Sequence, residues 1–314
     1  MVEQKYCFGV DIGGTTVKMG LFETNGTIAS KWEIPTHTEK GGERILPDIA
    51  ASIKEKMEEC GVTKEQVVGI GVGVPAAVQE ESVVQSTANL GWGYKDVKGE
   101  LEELLGINVK IGNDANVAAL GEMWKGGGHG YKNIVMVTLG TGVGGGIILD
   151  GRILVGVHGI AGEIGHLTVN EDETELCGCQ RTGCLEQYAS ATGVVRLAKR
   201  RLEQGGDNTV LNKETVTAKD VFDAVKAGDA VAIEIAEQFG YYLAKALNII
   251  AIMVDPDMFV IGGGVSKAGE VLLEYIEKYY KQKALWATKE VKFSLATLGN
   301  DAGICGAAKM VLDV

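Results

Sequence analysis

Apolar and polar positions follow one layout in two separate stretches of the chain. The stretches 8–26 (FGVDIGGTTVKMGLFETNG) and 134–151 (IVMVTLGTGVGGGIILDG) each predict a strand, a glycine turn, another strand and a closing turn. The closing turns are Asn-Gly and Asp-Gly, which are the strongest short-range hairpin signals when they lie between apolar runs. One such hairpin in each half predicts a duplicated architecture with two related domains facing each other.

Helical spacing of apolar residues dominates much of the remaining chain. Helices are predicted over 43–60, 192–203, 218–227 and 230 to about 253. Strand-to-helix transitions are predicted within 109–127, 257–280 and 293–312. The helix that starts at 230 is apolar on most faces and should be central. Strands mixed with helices throughout the chain predict an α/β fold.

Length and charge restrict the class of protein. A chain of 314 residues, of which 46% are hydrophobic, is too long for one small core, so we expect two domains. The net charge is −12 and no basic cluster is dense enough to serve a nucleic acid, which argues against nucleic-acid binding. The richest basic run, Arg196–Gln204, has helical spacing and is interpreted as a solvated helix face.

The apolar runs and the first residues bear on location. No run of about 18 apolar residues without charge occurs, so no membrane span is expected. The initial stretch MVEQKYCFGV has no signal-peptide core and enters a strand pattern almost at once. We therefore expect a cytoplasmic protein whose thiols stay reduced.

Three glycine loops are candidates for nucleotide binding. Gly140–Gly145 matches the dinucleotide fingerprint by letter, but a strand follows it where the fingerprint requires a helix. A glycine turn between antiparallel strands can still offer converging backbone N–H groups to a phosphate. The alternative is that both hairpin turns only require positive φ, although threonines in both favour phosphate. The third loop, Ile261–Ser266, would pack a ring or ribose, or is a tight strand-to-helix turn.

The loops contain hydroxyl groups, a carboxylate and glycine backbone that could bind phosphate and its metal ion. Asp11, together with the hydroxyls of Thr15 and Thr16, could hold a Mg²⁺ ion beside the phosphates, because Mg²⁺ prefers oxygen ligands. The P-loop motif G-x-x-x-x-G-K-[ST] does not occur. The candidate nucleotide-binding residues are Asp11, Gly13, Gly14, Thr15, Thr16, Lys18, Thr141, Gly142, Gly263 and Gly264.

Three of the six cysteines lie within eight residues and follow a histidine. The resulting Cys₃His set is His166, Cys177, Cys179 and Cys184. These ligand types suit zinc, and four protein ligands leave no open position for water, so the metal would be structural. A disulfide is disfavoured in a reducing compartment, and a Cys-x-Cys pair is strained. The other cysteines are interpreted as inert: Cys7, Cys60 and Cys305.

These pieces, in this order, resemble the ROK family of sugar kinases and repressors, whose fold is that of the actin-like ATPases (ribonuclease H-like). The resemblance covers essentially the whole chain. It is carried by DIGGTTVKMGLF, GVGVPAAV, GNDANVAALGE, TLGTGVGGGIILDG, AGEIGH, CGCQRTGCLE and IGGGVS. One departure is Gln180, because the family usually has glycine directly after the second cysteine of the cluster.

The resemblance implies two related domains around a cleft. The first would cover 1–114, completed by a C-terminal helix over about 301–314, and the second would cover 115–300 with the zinc site and most of the nucleotide site. The implied activity is ATP-dependent phosphorylation of glucose at the 6-hydroxyl, feeding glycolysis, as in the bacterial members that the chain resembles most. A homodimer is also implied.

The resemblance further implies site roles. Asp114 would be the general base, although Asp and Asn at such a position are also common helix N-caps. A helix N-terminus would keep that carboxylate ionised. The implied sugar-binding residues are Asn113, Asp114, Glu163, His166 and Glu186. Glu163 and Glu186 flank the Cys₃His set, so zinc would hold both carboxylates in place.

Three alternatives are weighed against this activity. A kinase of the same family for another sugar, such as N-acetylmannosamine, fructose or allose, fits the same motifs. A non-catalytic sugar sensor would differ only in ATP turnover. A repressor would need a helix-turn-helix domain ahead of the first hairpin, and we expect none because Asp11 already lies in the candidate phosphate loop.

Overall fold

The computed structural model describes residues 3–79, 82–87, 89–205 and 208–312. Its strands are β1 (Tyr6–Ile12), β2 (Thr16–Glu23), β3 (Ile28–Pro35), β4 (Val67–Val74), β5 (Val78–Gln79), β6 (Val83–Val84), β7 (Lys95–Asp96), β8 (Val109–Asn113), β9 (Ile134–Leu139), β10 (Val143–Leu149), β11 (Arg152–Ile153), β12 (Met258–Gly262) and β13 (Lys292–Leu295). Its α-helices are α1 (Glu39–Gly42), α2 (Ile45–Cys60), α3 (Val97–Leu105), α4 (Asp114–Lys125), α5 (Glu186–Ala189), α6 (Ala191–Glu203), α7 (Ala218–Lys226), α8 (Ala230–Val254), α9 (Glu270–Lys283) and α10 (Ala302–Leu312). Both predicted hairpins and the predicted helices are present.

The chain divides into two compact units. The first contains Met1–Gly130, Gly151–Ala161 and Asn300–Val314, and the second contains Tyr131–Asp150 and Gly162–Gly299. Within the first unit a five-stranded sheet has the order β3-β2-β1-β4-β8. β1 and β2 are antiparallel, whereas β1, β4 and β8 are parallel to one another. The carboxyl ends of these three parallel strands therefore meet at one edge of the sheet, where ligands bind in such folds.

The second unit repeats that topology. Its strands follow the order β10-β9-β12-β13, with β9 and β10 antiparallel and β9, β12 and β13 parallel. This order matches β2-β1-β4-β8 of the first unit, strand for strand. The duplication predicted from the two hairpins is therefore confirmed at the level of the sheets.

Helix α8 forms the centre of the second unit, as its apolar sequence predicts. Ile235, Phe239, Leu243 and Leu247 are fully buried and lie at helical spacing along it. Burying four such side chains contributes on the order of 6–12 kcal/mol of transfer free energy. Across the described ranges no helix combines the length and the apolar character that a membrane crossing requires.

Helices α4 and α10 pack through glycines within the first unit. A Cβ on Gly306 of α10 would lie 1.7 Å from the carbonyl oxygen of Val117, and one on Gly121 of α4 would lie 2.2 Å from that of Ala302. The two backbones are therefore in close contact, which only glycine permits. Because of this packing α4 groups with the first unit, whereas the sequence-based boundary at residue 114 assigned it to the second domain. Where the folding domains divide stays a prediction.

Candidate active site and metal centre

The turn of the first hairpin connects β1 to β2. Its Gly13 N–H donates to the Thr16 carbonyl over 3.0 Å, and Thr36 donates from Oγ1 to the Gly13 carbonyl over 2.7 Å. A Cβ on Gly13 would come within 2.9 Å of the Thr16 carbonyl oxygen. Neither Gly13 nor Gly14 has positive φ, so the interpretation that this turn merely requires positive φ is wrong. Glycine is required because a side chain would clash with the Thr16 carbonyl. The hydrogen bonds fix the turn, and its backbone has no side chains that would block a phosphate.

Asp11 lies at the end of β1, beside that turn. Lys18 of β2 is its partner in the antiparallel register. A Cβ on Gly303 of α10 would lie 2.6 Å from Asp11 Oδ2, so the carboxylate packs directly against helix backbone. Burial, assisted by the negative charge of Asp114, raises the pKa of Asp11 to about 6, and Lys18 only partly opposes this. The negative charges of Asp11 and Asp114 repel each other when both groups are ionised. A divalent cation bound between the carboxylate oxygens would remove this repulsion.

Asn113 and Asp114 divide the functions of the α4 N-terminus. Asn113 is the N-cap, because its Oδ1 accepts from the backbone N–H groups of Ala115 (3.0 Å) and Asn116 (3.2 Å). Its Nδ2 donates to the carbonyl of Ala76 over 3.2 Å. Asp114 is the first helical residue, and its Oδ1 accepts from the Ala115 N–H over 2.8 Å. The cap is thus provided by the asparagine, which places the Asp114 carboxylate at the positive end of the helix.

Asn116 is a candidate that the sequence interpretation missed. Its side chain is only 4% exposed, and its Oδ1 has no hydrogen-bond partner among the described residues. Buried polar atoms are nearly always paired, so an exception two residues after Asp114 marks a position that a ligand could satisfy. The motif GNDAN contains it, but nothing in the spacing separates it from an ordinary helical asparagine.

The turn of the second hairpin connects β9 to β10. Gly140 N–H donates to the Gly142 carbonyl over 3.0 Å, and Thr192 Oγ1 of α6 donates to the Thr141 carbonyl over 2.7 Å. Gly142 lacks positive φ, and a Cβ there would lie 2.7 Å from Oε2 of Glu186. The requirement for glycine is therefore steric here as well. This candidate phosphate turn lies directly against a candidate sugar carboxylate.

The third glycine loop follows β12. Gly263 has a φ of +85°, and a Cβ there would lie 2.5 Å from the carbonyl oxygen of Leu139. The space where a Cβ of Gly264 would be contains no heavy atom within 4 Å. Gly263 is thus needed for the turn itself, whereas Gly264 presents open backbone. Packing of a ring or ribose at this loop stays a prediction.

The Cys₃His set converges in space. Its four possible ligand atoms all lie within 4.8 Å of one another. Cys179 Sγ is 3.5 Å from Cys184 Sγ, and Cys177 Sγ is 3.9 Å from His166 Nδ1. A tetrahedron with metal–sulfur distances of about 2.3 Å has edges of about 3.8 Å. The spacing and the donor types of the four residues therefore fit one zinc ion.

The thiol cluster is linked directly to Glu186. Cys177 Sγ donates to Glu186 Oε1 over 2.8 Å. Burial, together with this hydrogen bond, raises the pKa of the Cys177 thiol to about 12, whereas a backbone hydrogen bond at Arg181 lowers the pKa of Cys179. Zinc takes cysteine as thiolate, so metal binding would release protons from the cluster. Loss of the Cys177 proton would also remove the hydrogen bond that this thiol donates to Glu186.

Glu163 and His166 lie at the two ends of a short 3-10 turn. His166 N–H donates to the Glu163 carbonyl over 3.2 Å. A Cβ on Gly165 would lie 2.1 Å from the carbonyl oxygen of Val143, so the turn is pressed against β10. His166 Nδ1 faces the cluster and is 3.8 Å from Glu186 Oε1. Of the three residues implied to bind sugar in this unit, His166 and Glu186 are therefore neighbours, and Glu163 lies one turn before His166.

The basic run Arg196–Gln204 is helical, as predicted, but it is only partly solvated. Arg196 and Arg200 form ion pairs with Glu173, whose side chain is 2% exposed. Burial acts against ionisation of Glu173, yet hydrogen bonds from Arg200 and Tyr188 hold its pKa well below the usual range. The interpretation as a solvated face is therefore wrong for Arg196, whereas the Arg200 side chain is 39% exposed but still paired. It failed because their partner lies in an irregular loop whose position no periodicity predicts.

Gln180 has the backbone conformation that glycine favours. Its φ is +65°, in the left-handed region that residues with a Cβ rarely adopt. The turn around it is tight, since Gln180 N–H donates to the Cys177 carbonyl over 2.9 Å and Cys177 N–H donates to that of Arg181 over 2.7 Å. This explains why glycine suits the position in the family that the chain resembles. The cysteines still converge despite the glutamine.

Comparisons with known proteins agree over nearly the full length. The family model described as ROK family matches residues 7–314. A glucokinase of Halalkalibacterium halodurans is 43% identical over 316 aligned residues, covering 99% of this chain and 96% of that protein. The crystal structure of a ROK family glucokinase from Streptomyces griseus, in complex with glucose and AMPPNP, matches with a TM-score of 0.73 and 33% identity over 97% of this chain and 98% of that one. The ROK hexokinase from Thermus thermophilus matches with a TM-score of 0.80 and 32% identity over 96% of each chain.

Proposed function

We propose that this chain, which belongs to the ROK family, is a glucokinase that transfers the γ-phosphoryl group of ATP to the 6-hydroxyl of glucose. The predicted actin-like α/β fold is confirmed by the family match and the similar crystal structures. The observation that carries the proposal is the pairing of Asp114, at the positive end of α4, with Asp11 beside a bare-backbone turn. A kinase needs such a base next to a site for phosphate and its metal.

Asp114 acts as the general base in this proposal. The N-terminus of α4 favours its ionised form, so it can accept the proton of the 6-hydroxyl as that oxygen attacks the γ-phosphorus. The proton moves from the sugar hydroxyl to the carboxylate, and the bond from the γ-phosphorus to the bridging oxygen of ADP breaks. Positioning and charge neutralisation supply most of the remaining catalysis in phosphoryl transfer.

Asp11 would hold the Mg²⁺ ion that accompanies ATP. When bound, that ion neutralises charge on the transferring phosphoryl group. The raised pKa of Asp11 supports this role, since a cation would relieve the repulsion between Asp11 and Asp114. The residues proposed to bind the nucleotide with it are Gly13, Gly14, Thr15, Thr16, Lys18, Thr141, Gly142, Gly263 and Gly264.

Zinc is the structural metal of the proposal, held by His166 and the three cysteines of the set. His166 would use Nδ1 for the metal, because that atom faces Cys177. Its other ring nitrogen would remain for a sugar hydroxyl, beside the carboxylates of Glu163 and Glu186. A fixed imidazole and two fixed carboxylates bind hydroxyls with less loss of side-chain entropy than mobile ones would. Asn113 and Asp114 complete the proposed set of sugar ligands.

Cellular context belongs to the same proposal. Reduced thiols are required of the Cys₃His set, which supports a cytoplasmic location, where product formation would feed glycolysis. The family resemblance supports a homodimer. Light scattering of the purified protein tests this point, with about twice the 33.2 kDa chain mass expected and the single-chain mass contradicting it.

A sugar panel tests the function directly. Consumption of ATP should be measured with glucose, N-acetylmannosamine, fructose and allose, and the product of the best substrate should be identified by NMR. Glucose should give the highest kcat/KM and glucose 6-phosphate should form. Preference for another sugar would remove the glucose assignment, and ATP consumption independent of sugar would remove the kinase assignment.

A further inference from the structure

The loop between His166 and Cys177 contains a buried carboxylate with an unusually complete set of donors. Glu173 Oε1 accepts from the backbone N–H groups of Thr174 and Glu175, both over 3.0 Å. Its Oε2 accepts from Tyr188 OH over 2.6 Å and from Arg196 Nη2. A buried charge is retained only when it is paired and hydrogen-bonded in this way, and removing one partner is strongly destabilising. The loop is therefore fixed where Glu173 lies.

Two of these donors connect Glu173 to the short helix α5, which begins with Glu186. Tyr188 lies on α5 itself, two residues after Glu186. Arg196 Nη1 donates to the carbonyl of Gln187 over 3.0 Å, which fixes the peptide between Gln187 and Tyr188. The Arg196 guanidinium also lies over the Tyr188 ring, 5.4 Å from its centroid. The backbone that carries Glu186 is thus held at each of the next two residues.

The metal loop is held by the same network. Gln187 Nε2 donates to the carbonyl of Glu175 over 2.9 Å, and its Oε1 accepts from Cys184 N–H over 3.0 Å. Glu175 in turn accepts from Arg196 Nε over 2.9 Å. The carboxylate pair at positions 173 and 175 therefore reaches both the cluster and α5. No sulfur or metal takes part in these contacts.

We propose that Glu173 is a positioning residue for sugar binding, which acts through Tyr188 and Arg196 to hold the main chain of Glu186 in the orientation that its carboxylate needs. This rests on the proposed function, in which Glu186 binds a sugar hydroxyl. A carboxylate displaced by a fraction of an ångström loses hydrogen bonds to a hydroxyl, so sugar affinity should suffer before nucleotide affinity does.

Three substitutions weaken the network in different ways. Tyr188→Phe removes only the hydroxyl and keeps the ring, which packs 4.0 Å from that of Tyr242. Arg196→Lys keeps the charge but loses the forked contact to Glu173 and Gln187. Glu173→Gln tests the carboxylate itself, but it leaves two partly buried arginines short of counter-charge and risks unfolding. Tyr188→Phe is the variant that stays informative if Glu173→Gln fails to fold.

A matched control lies on the same helix as Arg196. Arg201 of α6 forms an ion pair with Glu234 of α8, 2.5 Å apart, and the Glu234 side chain is 54% exposed. Glu234→Gln removes one side of that pair. Surface ion pairs contribute little, so this variant should keep the KM for glucose within about twofold of the unchanged protein.

The deciding experiment is a double-mutant cycle with Glu186→Gln, read as KM for glucose and KM for ATP. Tyr188→Phe should raise the KM for glucose about tenfold and change the KM for ATP less than about twofold, with metal content unchanged. In the Glu186→Gln background the same change should have an effect of less than about twofold, because the group being positioned is gone. Full additivity of the two substitutions, or equal effects on glucose and ATP, would overturn the positioning role.

The same data separate this inference from the proposed function. If Glu186→Gln alone leaves the KM for glucose unchanged, the assignment of Glu186 as a sugar ligand fails and the positioning role fails with it. If Glu186→Gln raises that KM strongly while Tyr188→Phe has no effect, only the positioning role is overturned. Both substitutions raising it without additivity supports both statements.

Discussion

Each unit contains a carboxylate whose pKa is shifted by its surroundings, and the two electrostatic settings are opposite. Asp11 in the first unit packs against helix backbone beside a second carboxylate, and its pKa is raised to about 6. Glu173 in the second unit is surrounded by arginines, a tyrosine hydroxyl and backbone N–H groups, and its pKa is held below the usual range. A carboxylate that is partly removed from water without sufficient counter-charge indicates a site for a ligand, whereas a fully compensated one indicates a scaffold.

The topology is the same in both units, so the fold does not cause this difference. Each sheet places a hairpin next to two parallel strands. The second unit adds a loop from His166 to Cys184 that supplies its own thiols, imidazole and ion pairs. In the proposed function the first unit would supply the general base, and this added loop would hold three of the sugar ligands in place.

Breaking the metal set should have the largest effect on the second unit. Cys179→Ser leaves an incomplete zinc site, and structural zinc contributes folding free energy directly. We expect bound zinc to fall well below the one ion per chain expected of the unchanged protein, and the KM for glucose to rise at least about tenfold. Metal analysis and glucose and ATP titrations check this.

The control for that experiment is Cys60→Ser, which changes an exposed cysteine outside the set. It should retain the metal and both affinities. An unchanged protein that contains no zinc, or unaltered glucose affinity in Cys179→Ser, would contradict a metal scaffold for the sugar site.

Removing the charge of Asp11 should stabilise the protein but abolish its activity. The pKa of Asp11 is 3.8 in the unfolded chain and about 6 in the folded protein. The folded protein therefore becomes less stable as the pH rises from 3.8 through about 6. Asp11→Asn removes this loss, so it should raise the free energy of unfolding by up to about 3 kcal/mol at pH 8. The gain should be about half as large at pH 5.

Chemical denaturation of the ligand-free protein at both pH values measures the effect of Asp11→Asn, with the exposed Asp172→Asn as control. A gain that does not depend on pH would mean that packing, and not charge, limits stability at Asp11. ATP turnover of Asp11→Asn should be lost despite the gain.

The two hairpin turns should respond differently to a side chain. Gly13→Val and Gly142→Val both block backbone that is proposed to receive phosphate, so each should raise the KM for ATP. Only Gly142 lies against Glu186, so Gly142→Val should also raise the KM for glucose by about tenfold. Steady-state kinetics with each substrate varied in turn measures both constants, and equal glucose constants for the two variants would contradict the contact.

The smallest expected change concerns the strained turn in the metal loop. Gln180→Gly should stabilise the protein by about 0.5–1 kcal/mol, because a left-handed φ is costly for a residue with a Cβ but not for glycine. Gln204 has a φ of −71°, so Gln204→Gly is a matched control that should not stabilise. Denaturation midpoints of the two variants test this, and a loss of stability in Gln180→Gly would show that its side chain contributes more than the strain costs.

Local patterns predicted more of this molecule than long-range pairing did. The hairpins, α6, α7 and α8 follow from periodicity and turn residues, and the Cys₃His set follows from ligand spacing. The Glu173–Arg196 pair joins an irregular loop to a helix, and the contact of Gly142 with Glu186 joins two separate elements. Neither has a sequence period, because both depend on the tertiary fold. The alternative that the turn glycines only require positive φ could not be decided from the sequence for the same reason, since the close carbonyl and carboxylate atoms are set by the tertiary fold.

In the proposed function Asp114 performs the proton transfer, whereas most of the hydrogen bonds to the sugar come from other residues. Turnover and equilibrium glucose binding of Asp114→Asn, measured on the same preparation, test it most directly. We expect turnover to fall by about 10²-fold or more while the dissociation constant for glucose changes by less than about tenfold. Near-normal turnover in Asp114→Asn, or loss of glucose binding equal to the loss of turnover, would contradict it.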